Sequence, residues 1–424
     1  MTDTSSKLRN TGLALGAIGL GGFAADYALN VGLSRLLDPH EYGDFRVAHA
    51  FASFAGVAVL LGGDRAAPMV MSGLFKQDDR AGVWEYLRFY LRLGTLLSLA
   101  VMAVTWIGAA LHVGSQDPRE HHALAWVVVA VPVIAAGAMV SRTLQSAERQ
   151  VWAALPWRVG FPLLKLALIG LAAAVAGGVH LHGAVMIAVV ATVVVAGGQW
   201  WALRRSELPT LERDAGGAAT GDWLRASVPM MGAFLVALAL NQSDLYFLEI
   251  FAHDDQVGHY AAASTSAHFL LILQATVIGL VAPRLRPAID RGAEEARAVY
   301  SHGMRMLLAV TVPVALGLAV AAKPILAIFG PSFVDAVAEL ELLVIGNAAW
   351  ALAALATLWL QYTGRATVVL AVTIVTLIAD SGLNWILIPR FGMAGAALST
   401  AGTLSGAALT LLVLRRRAAK DGGS

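Results

Sequence analysis

The sequence predicts an all-α integral membrane protein with about twelve transmembrane helices. Hydrophobic residues make up 58% of its 424 residues and charged residues only 14%, whereas soluble domains carry about 25% charged residues. The mean hydropathy is +0.69. Apolar runs of roughly 20 residues, the length that crosses a bilayer as a helix, recur along the whole chain. The runs lack the alternation of barrel strands, and backbone groups in lipid are best paired within a helix.

Twelve apolar runs account for most of the chain, and the loops between them are short. The runs cover residues 12–36, 46–73, 89–113, 123–147, 151–177, 184–203, 223–251, 259–283, 304–329, 335–362, 366–389 and 392–414. No loop leaves room for a separate soluble domain. Two charged loops, 76–92 and 284–305, have helix-forming compositions and are expected to lie as surface helices at the lipid headgroups.

The basic residues predict the orientation of the chain in the membrane. With alternating spans and a cytoplasmic N-terminus, 24 of the 30 Lys and Arg residues fall at cytoplasmic ends and five at outer ends. Cytoplasmic loops of bacterial membrane proteins are enriched in Lys and Arg. We therefore expect both termini in the cytoplasm and an even number of spans.

Two similar segments indicate an internal duplication. Ser34–Phe54 and Glu249–Phe269 lie 215 residues apart, and each joins the end of one apolar run, through an acidic turn, to a glycine and an aromatic residue. The same offset pairs Gly43 with Gly258, Phe45 with Tyr260, and Pro68 with Pro283. Duplicated halves around a central path are typical of secondary transporters. The predicted domains are therefore 1–205 and 223–424, joined by a cytoplasmic linker at 206–222.

Composition and motifs argue against several classes of function. There is no cysteine, and hence no disulfide framework or thiol nucleophile. HExxH, GxSxG and P-loop patterns are absent, so the protein is not expected to be an enzyme or to need a cofactor. His121 and His122 are adjacent but lack further nearby ligands, and no metal site is predicted. The net charge of +2 gives no indication of nucleic-acid binding.

Several segments, in order along the chain, resemble one family of transporters. They are LSRLLDPHEYGDF (33–45), LLGGDRAAP (60–68), QSDLYFLEIFAHDDQVGHYAAA (242–263), VAPRL (281–285), KPILAIFGPSF (323–333) and NWILIPRFGMAGAALST (384–400). Together they are similar to the polysaccharide flippase family of the multidrug/oligosaccharidyl-lipid/polysaccharide (MOP) exporter superfamily. Two departures stand out, since Met69 replaces a basic residue common in that family and Asp380 is an unusual acid.

The resemblance implies a MATE-like fold of two six-helix bundles around a V-shaped cavity. It also implies export of an undecaprenyl-pyrophosphate-linked oligosaccharide by alternating access, for O-antigen or exopolysaccharide biosynthesis. The implied partners are this lipid-linked substrate, membrane lipid, H⁺ or Na⁺ as coupling ion, and the polysaccharide polymerase machinery. Two alternatives stay open: a multidrug/cation antiporter of the same superfamily, and a membrane enzyme of polysaccharide assembly.

Such a flippase must stabilise an anionic head group at membrane depth, so its path should carry polar and basic side chains. Helical spacing selects the candidates. The predicted substrate-binding residues are Arg35, Arg46, His49, Arg158, Lys165, Asp26, Asn30, Asn241, Asp244 and His268. Asp244 and Asp380 are also candidates for coupling to a cation. Lys165 is the most informative of them, because it lies roughly 10 Å beyond Arg158 along its helix and too deep to reach the surface.

For each candidate a structural role is the alternative. Arg46 and His49 could be solvated near the outer interface, and Arg35 could extend to the surface. Asp26 and Asn30 could form hydrogen bonds with neighbouring helices, and Asp244 could pair with an internal basic residue. Asp64 and Arg65 are adjacent near the inner face, and for them local structure is the preferred interpretation.

Overall fold

A computed structural model describes residues 2–111, 118–206, 220–252 and 254–421, and these residues are almost entirely helical. The helices are α1 Thr2–Leu36, α2 Pro39–Ala58, α3 Gly63–Lys76, α4 Arg80–Ala110, α5 Pro118–Val127, α6 Val131–Ser146, α7 Gln150–Leu155, α8 Phe161–Ala176, α9 Leu181–Ser206, α10 Thr220–Leu240, α11 Ser243–Phe251, α12 Asp254–Ala267, α13 Phe269–Arg291, α14 Ala293–Val320, α15 Ala322–Phe329, α16 Val337–Tyr362, α17 Ala366–Phe391 and α18 Met393–Asp421. A π-helical segment, Pro156–Gly160, joins α7 to α8, and 3₁₀ turns precede α6 and α16.

The helices confirm the predicted fold class. Within the described residues, eleven helices are long and apolar enough to span a membrane, and the bent pair α2–α3 makes a twelfth. The predicted run 46–73 is thus a broken span rather than one straight helix. The run 223–251 also divides, into α10 and α11, because a turn at 241–242 interrupts it.

The two charged loops do not form the surface helices expected of them. α4 begins at Arg80 and continues without interruption to Ala110, and α13 and α14 are separated by Gly292 alone. Charged residues are compatible with helix, so the spanning helices simply extend beyond their apolar stretches. Gly292, with φ of +137°, permits the sharp reversal between them.

The chain divides into two compact units, Met1–Leu238 and Ala239–Ser424. This boundary lies in the last turn of α10, whereas the sequence placed the division at the linker 206–222, most of which lies outside the described residues. The duplication of two six-helix halves therefore stays a prediction. Gly43 and Gly258 are each the fifth residue of their helices, α2 and α12.

The break between α2 and α3 is stabilised by side chains of unit 1. Leu61 and Gly62 have φ of 45° and 79°, and the two helix axes are bent by 44°. Ser227 donates to the Leu61 carbonyl at 2.8 Å and accepts from Tyr90 at 2.9 Å. Tyr86 donates to the Gly63 carbonyl at 2.9 Å. The break removes helical hydrogen bonds at this point, and lipid offers no donors in their place. The hydroxyls of Ser227 and Tyr86 supply donors to the backbone instead.

In unit 2, α16 is the central packing element. A Cβ on Gly346 would lie 2.8 Å from the Cα of Ala401, so α16 and α18 approach closely only because this residue is glycine. At the predicted cytoplasmic end of the unit, Tyr300 packs edge-on against Trp359 and Arg415 lies over both rings. The close contacts of α16 with its neighbours make this unit a tightly packed scaffold.

Candidate functional site

In unit 1, a polar network joins α1 to α2. Asn30 is buried, and its amide nitrogen donates to the carboxylate of Asp26 at 3.1 Å. Its amide oxygen accepts from the Tyr42 hydroxyl at 3.1 Å and from the Arg46 guanidinium at 2.5 Å. One side chain thus orients both an acid and a base of the predicted set, because Asp26 and Asn30 lie one helical turn apart on α1.

Lys165 lies beside this network on α8. Its side chain is only 2% exposed, and its ammonium nitrogen lies 4.1 Å from the centre of the Phe161 ring. It interacts electrostatically with Asp26, Arg46 and His49. Within the described part of the chain, no carboxylate lies within 4.0 Å of the ammonium group. A cation–π contact compensates only part of the cost of burying a charge.

His49 completes the group around Lys165. Its ring stacks on Phe45 with 6.0 Å between ring centres and lies 6.3 Å from Phe161. Lys165 thus interacts electrostatically with Asp26, Arg46 and His49, and Asn30 is hydrogen-bonded to two of these three residues. We call these five residues the Lys165 cluster.

In unit 2, two predicted acids form a buried pair. Asp244 accepts from the hydroxyls of Tyr260 and Thr400, each at 2.6 Å, and from the amide of Asn384 at 2.9 Å. Asp380 accepts from the same amide at 3.0 Å, so one nitrogen bridges both carboxylates. Asp244 is 8% exposed and Asp380 only 1%.

Three further hydroxyls complete the shell of Asp380. Ser243 donates at 2.8 Å, Ser399 at 3.1 Å and Thr403 at 3.2 Å. Among the described residues, no Lys, Arg or His lies within 4.0 Å of either carboxylate. Two adjacent carboxylates without a basic partner can coexist at this depth only by sharing a proton or binding a cation. The amide oxygen of Asn384 is also buried without a hydrogen-bond partner.

The remaining predicted residues lie outside these two groups. Arg35 is exposed in the last turn of α1, and Asn241 is exposed at the turn between α10 and α11. His268 lies at the junction of α12 and α13, 3.5 Å from the Ser264 hydroxyl. Arg158 is exposed in the π-helical segment and lines a cavity of unit 1 together with Arg65 and Arg142.

Sequence reasoning missed most of the neutral partners. The hydroxyls of Ser243, Tyr260, Ser399 and Thr400 were not selected, although each contacts a predicted acid. Serine, threonine and tyrosine are common in membrane helices, so composition alone does not distinguish them. Only the one-turn spacing of Ser399 and Thr403 gave a signal, and it is weak.

Comparison with known families identifies the chain. A family described as "Polysaccharide biosynthesis protein" matches residues 8–286, about two thirds of the chain. The chain belongs to this family. This confirms the resemblance found in the sequence. A search of curated proteins found no match.

Solved structures share the fold of this family member at low sequence identity. An inward-facing MATE-family multidrug transporter of the MOP superfamily is 13% identical, covers 96% of this chain and 98% of its own, and gives a TM-score of 0.76. The lipid II flippase MurJ, in an inward closed conformation, is 14% identical, covers 94% of this chain and 87% of its own, and gives a TM-score of 0.75. An outward-facing MATE transporter gives 0.67 at 14% identity, covering 97% and 95%. The polysaccharide-family member therefore has a MOP-superfamily fold.

Proposed function

We propose that the protein is a flippase that moves a lipid-linked oligosaccharide across the bacterial cytoplasmic membrane for surface polysaccharide biosynthesis. Membership of the polysaccharide biosynthesis family supports a polysaccharide substrate, and the MATE and MurJ fold supports transport rather than catalysis. An undecaprenyl-pyrophosphate carrier, both termini in the cytoplasm, and a role in O-antigen or exopolysaccharide assembly are parts of this proposal. Transport proceeds by alternating access.

The single observation that carries the proposal is the Lys165 cluster. A lysine that is 2% exposed costs about 2.5–3.5 kcal/mol at the centre of a membrane, and no carboxylate in the described residues pairs with it directly. Lys165 and Arg46 carry two positive charges against the one negative charge of Asp26, so the group has a net positive charge that attracts an anion. A pyrophosphate supplies this anion, and its charges offset the cost of keeping Lys165 within the membrane.

The buried carboxyl pair of unit 2 supports coupling of transport to a cation. Asp244 and Asp380 lie together among hydroxyl and amide groups. Carboxylate and hydroxyl oxygens are suitable ligands for Na⁺, and two adjacent carboxylates can share one proton. Binding of one H⁺ or Na⁺ there halves the negative charge of the pair and alters the packing of α11, α17 and α18. The basic groups of unit 1 hold the substrate and the acids of unit 2 respond to the ion.

Replacement of Lys165 tests the assignment of the substrate site. In cells that lack the native gene, Lys165→Ala should reduce surface polysaccharide at least about tenfold, because one charge-assisted contact is worth roughly 1.5–3 kcal/mol. Lys165→Arg should retain part of the activity, since it keeps the charge. The matched control is Lys323→Ala, which removes an exposed lysine and should leave export unchanged.

Membrane abundance of each variant is measured alongside export. Full export by Lys165→Ala at normal abundance would contradict a substrate contact. The function itself is tested in the deletion strain, where lipid-linked oligosaccharide should accumulate on the cytoplasmic leaflet. Accumulation of unpolymerised oligosaccharide on the outer leaflet would instead favour a polymerase.

A further inference from the structure

A second basic group of unit 1 lies apart from the Lys165 cluster. A cavity of about 440 Å³ is lined by Arg65, Arg142 and Arg158, with Asp64 as the one acid among its lining residues. Arg65 and Asp64 are 3.0 Å apart, and Arg142 donates to Gln145 at 2.7 Å. One carboxylate therefore faces three guanidinium groups, which leaves two positive charges without an acidic partner among the described lining residues.

The buried carboxylate of Asp64 accepts fewer hydrogen bonds than its two oxygens allow. Asp64 is 1% exposed, and its Oδ1 atom has no hydrogen-bond partner among the described residues. The Arg65 guanidinium lies 3.4 Å from the centre of the Phe234 ring, so Phe234 covers one face of the guanidinium. Planar guanidinium groups bind phosphate oxygens in pairs, and clusters of them are typical of phosphate recognition.

The third arginine is presented by the π-helical segment Pro156–Gly160. Proline has no N–H, so the helix lacks the hydrogen bond that position 156 would donate to the carbonyl of Trp152. Gln199 on α9 donates to the carbonyls of Trp152 and Ala153 at 3.0 and 3.2 Å. Its own amide oxygen accepts from the indole of Trp157 at 2.6 Å. Such π-helical insertions occur frequently at functional sites.

Close packing on either side also sets the direction of this segment. A Cβ on Gly22 of α1 would lie 2.7 Å from the Arg158 carbonyl oxygen, and one on Gly137 of α6 would overlap the Trp157 ring. Trp157 and Arg158 both line the cavity. Gln199 does not line it, and acts only by holding the segment that does.

We propose that this cavity binds a phosphate-bearing group, and that Gln199 is a positioning residue for it. The inference rests on the proposed function and deepens it. In the predicted topology all three arginines lie towards the cytoplasm, and Lys165 lies roughly 10 Å further along the helix from Arg158. The cavity receives the diphosphate of the substrate first, and the Lys165 cluster receives it as the head group moves outwards.

Direct binding of inorganic pyrophosphate to the purified full-length protein tests the site. The protein is placed in nanodiscs of neutral phosphatidylcholine at low salt, and the dissociation constant is measured by equilibrium binding. Arg142→Gln and Arg65→Gln should each weaken binding about tenfold or more, the loss expected for one charge-assisted contact. The control Arg204→Gln removes an exposed arginine that contacts Trp200 and should have no effect.

Two further variants separate the role of Gln199 from folding. Gln199→Leu should weaken pyrophosphate binding about tenfold and lower the melting temperature, because it strands the Trp152 carbonyl. Adding Pro156→Ala restores an N–H for that carbonyl and should recover part of the melting temperature, since the Ala153 carbonyl and the Trp157 indole still lack Gln199. Binding should stay weak in the double variant, since a regular helix turns Arg158 away from the cavity. Recovery of both properties would overturn the positioning role.

The source of the phosphate and the link to transport need separate measurements. Phosphatidylglycerol is therefore added to the nanodiscs. If it displaces pyrophosphate, the site binds lipid headgroups; if it does not, the site binds the diphosphate of the substrate. Lys165→Ala should lose export, and the pyrophosphate binding that remains in this variant should still weaken about tenfold on Arg65→Gln or Arg142→Gln, so failure of the proposed function is distinguishable. Unchanged pyrophosphate binding in an Arg65→Gln, Arg142→Gln double variant would overturn the inference.

Discussion

Replacement of Asp380 by asparagine separates ion coupling from folding. Asp380 accepts from Ser243 and Asn384 on one carboxylate oxygen, and from Ser399 and Thr403 on the other. An asparagine can keep its oxygen towards the first pair and turn its NH₂ group towards the two hydroxyls of the second. Those hydroxyls can rotate to accept, because carbonyls at 3.1 and 2.8 Å are available to receive their protons. We therefore expect Asp380→Asn to fold.

The magnitude follows from the bonds that change. Two hydroxyl bonds to a charged acceptor become bonds to a neutral amide, a loss of roughly 1–2 kcal/mol in the free energy of unfolding, offset in part by the smaller cost of burying a neutral group. Asp380→Leu is different, because it offers no acceptor at all. The Ser243 hydroxyl loses its acceptor at a cost of about 1–3 kcal/mol, and an apolar side chain then lies among the polar groups of Asn384, Ser399 and Thr403. The leucine variant should accumulate to a lower level, whereas the asparagine variant should be nearly as abundant as the native protein.

The assay compares transport driven by two ion gradients. Proteoliposomes carrying a fluorescent lipid-linked oligosaccharide are given a Na⁺ or H⁺ gradient, and flipping is followed by quenching of the outer leaflet. The native protein should respond to one gradient and Asp380→Asn to neither, at similar melting temperature. The control Asp290→Asn removes an exposed carboxylate, 59% accessible and paired with Arg286, and should keep the response. A full gradient response by Asp380→Asn would refute the coupling role of the pair.

Three further changes test the topology and the packing. A cysteine at Ser332 should react with an impermeant thiol reagent in intact cells and one at Gln77 should not, whereas the reverse pattern would overturn the orientation. Gly346→Val should destabilise unit 2 by about 1–3 kcal/mol through overpacking against α18, as measured by thermal melting. The control is Gly317→Val, whose Cβ would meet nothing within 4 Å. Equal melting temperatures of the two variants would contradict the close approach of α16 and α18. Ser227→Ala should lower stability by about 1–3 kcal/mol because a buried carbonyl at the α2–α3 break loses its donor, and unchanged melting would show that another donor replaces it.

Much of the polar chemistry was predictable from helical spacing. Asp380 and Asn384 lie one turn apart in the sequence, and in the structure the Asn384 amide donates to both Asp380 and Asp244. Asp26, Asn30 and Lys165 were likewise selected because a polar group within a membrane span is costly and therefore indicates a structural or functional role. Arg65 was different, since its neighbour Asp64 offered a sufficient local explanation, and the cavity that it lines with Arg142 was not foreseen.

The sequence by itself determined the all-helical membrane class, the approximate positions of the spans and which of them carry buried ionisable residues. These properties are local, because each span must meet the hydrocarbon and cover its own backbone whatever its neighbours are. Only the tertiary structure decided that Gln199 supports a π-helical segment more than 40 positions away and that one amide joins Asp244 to Asp380. Such pairings depend on which helix faces pack together, and the periodicity of a single helix does not specify its partner.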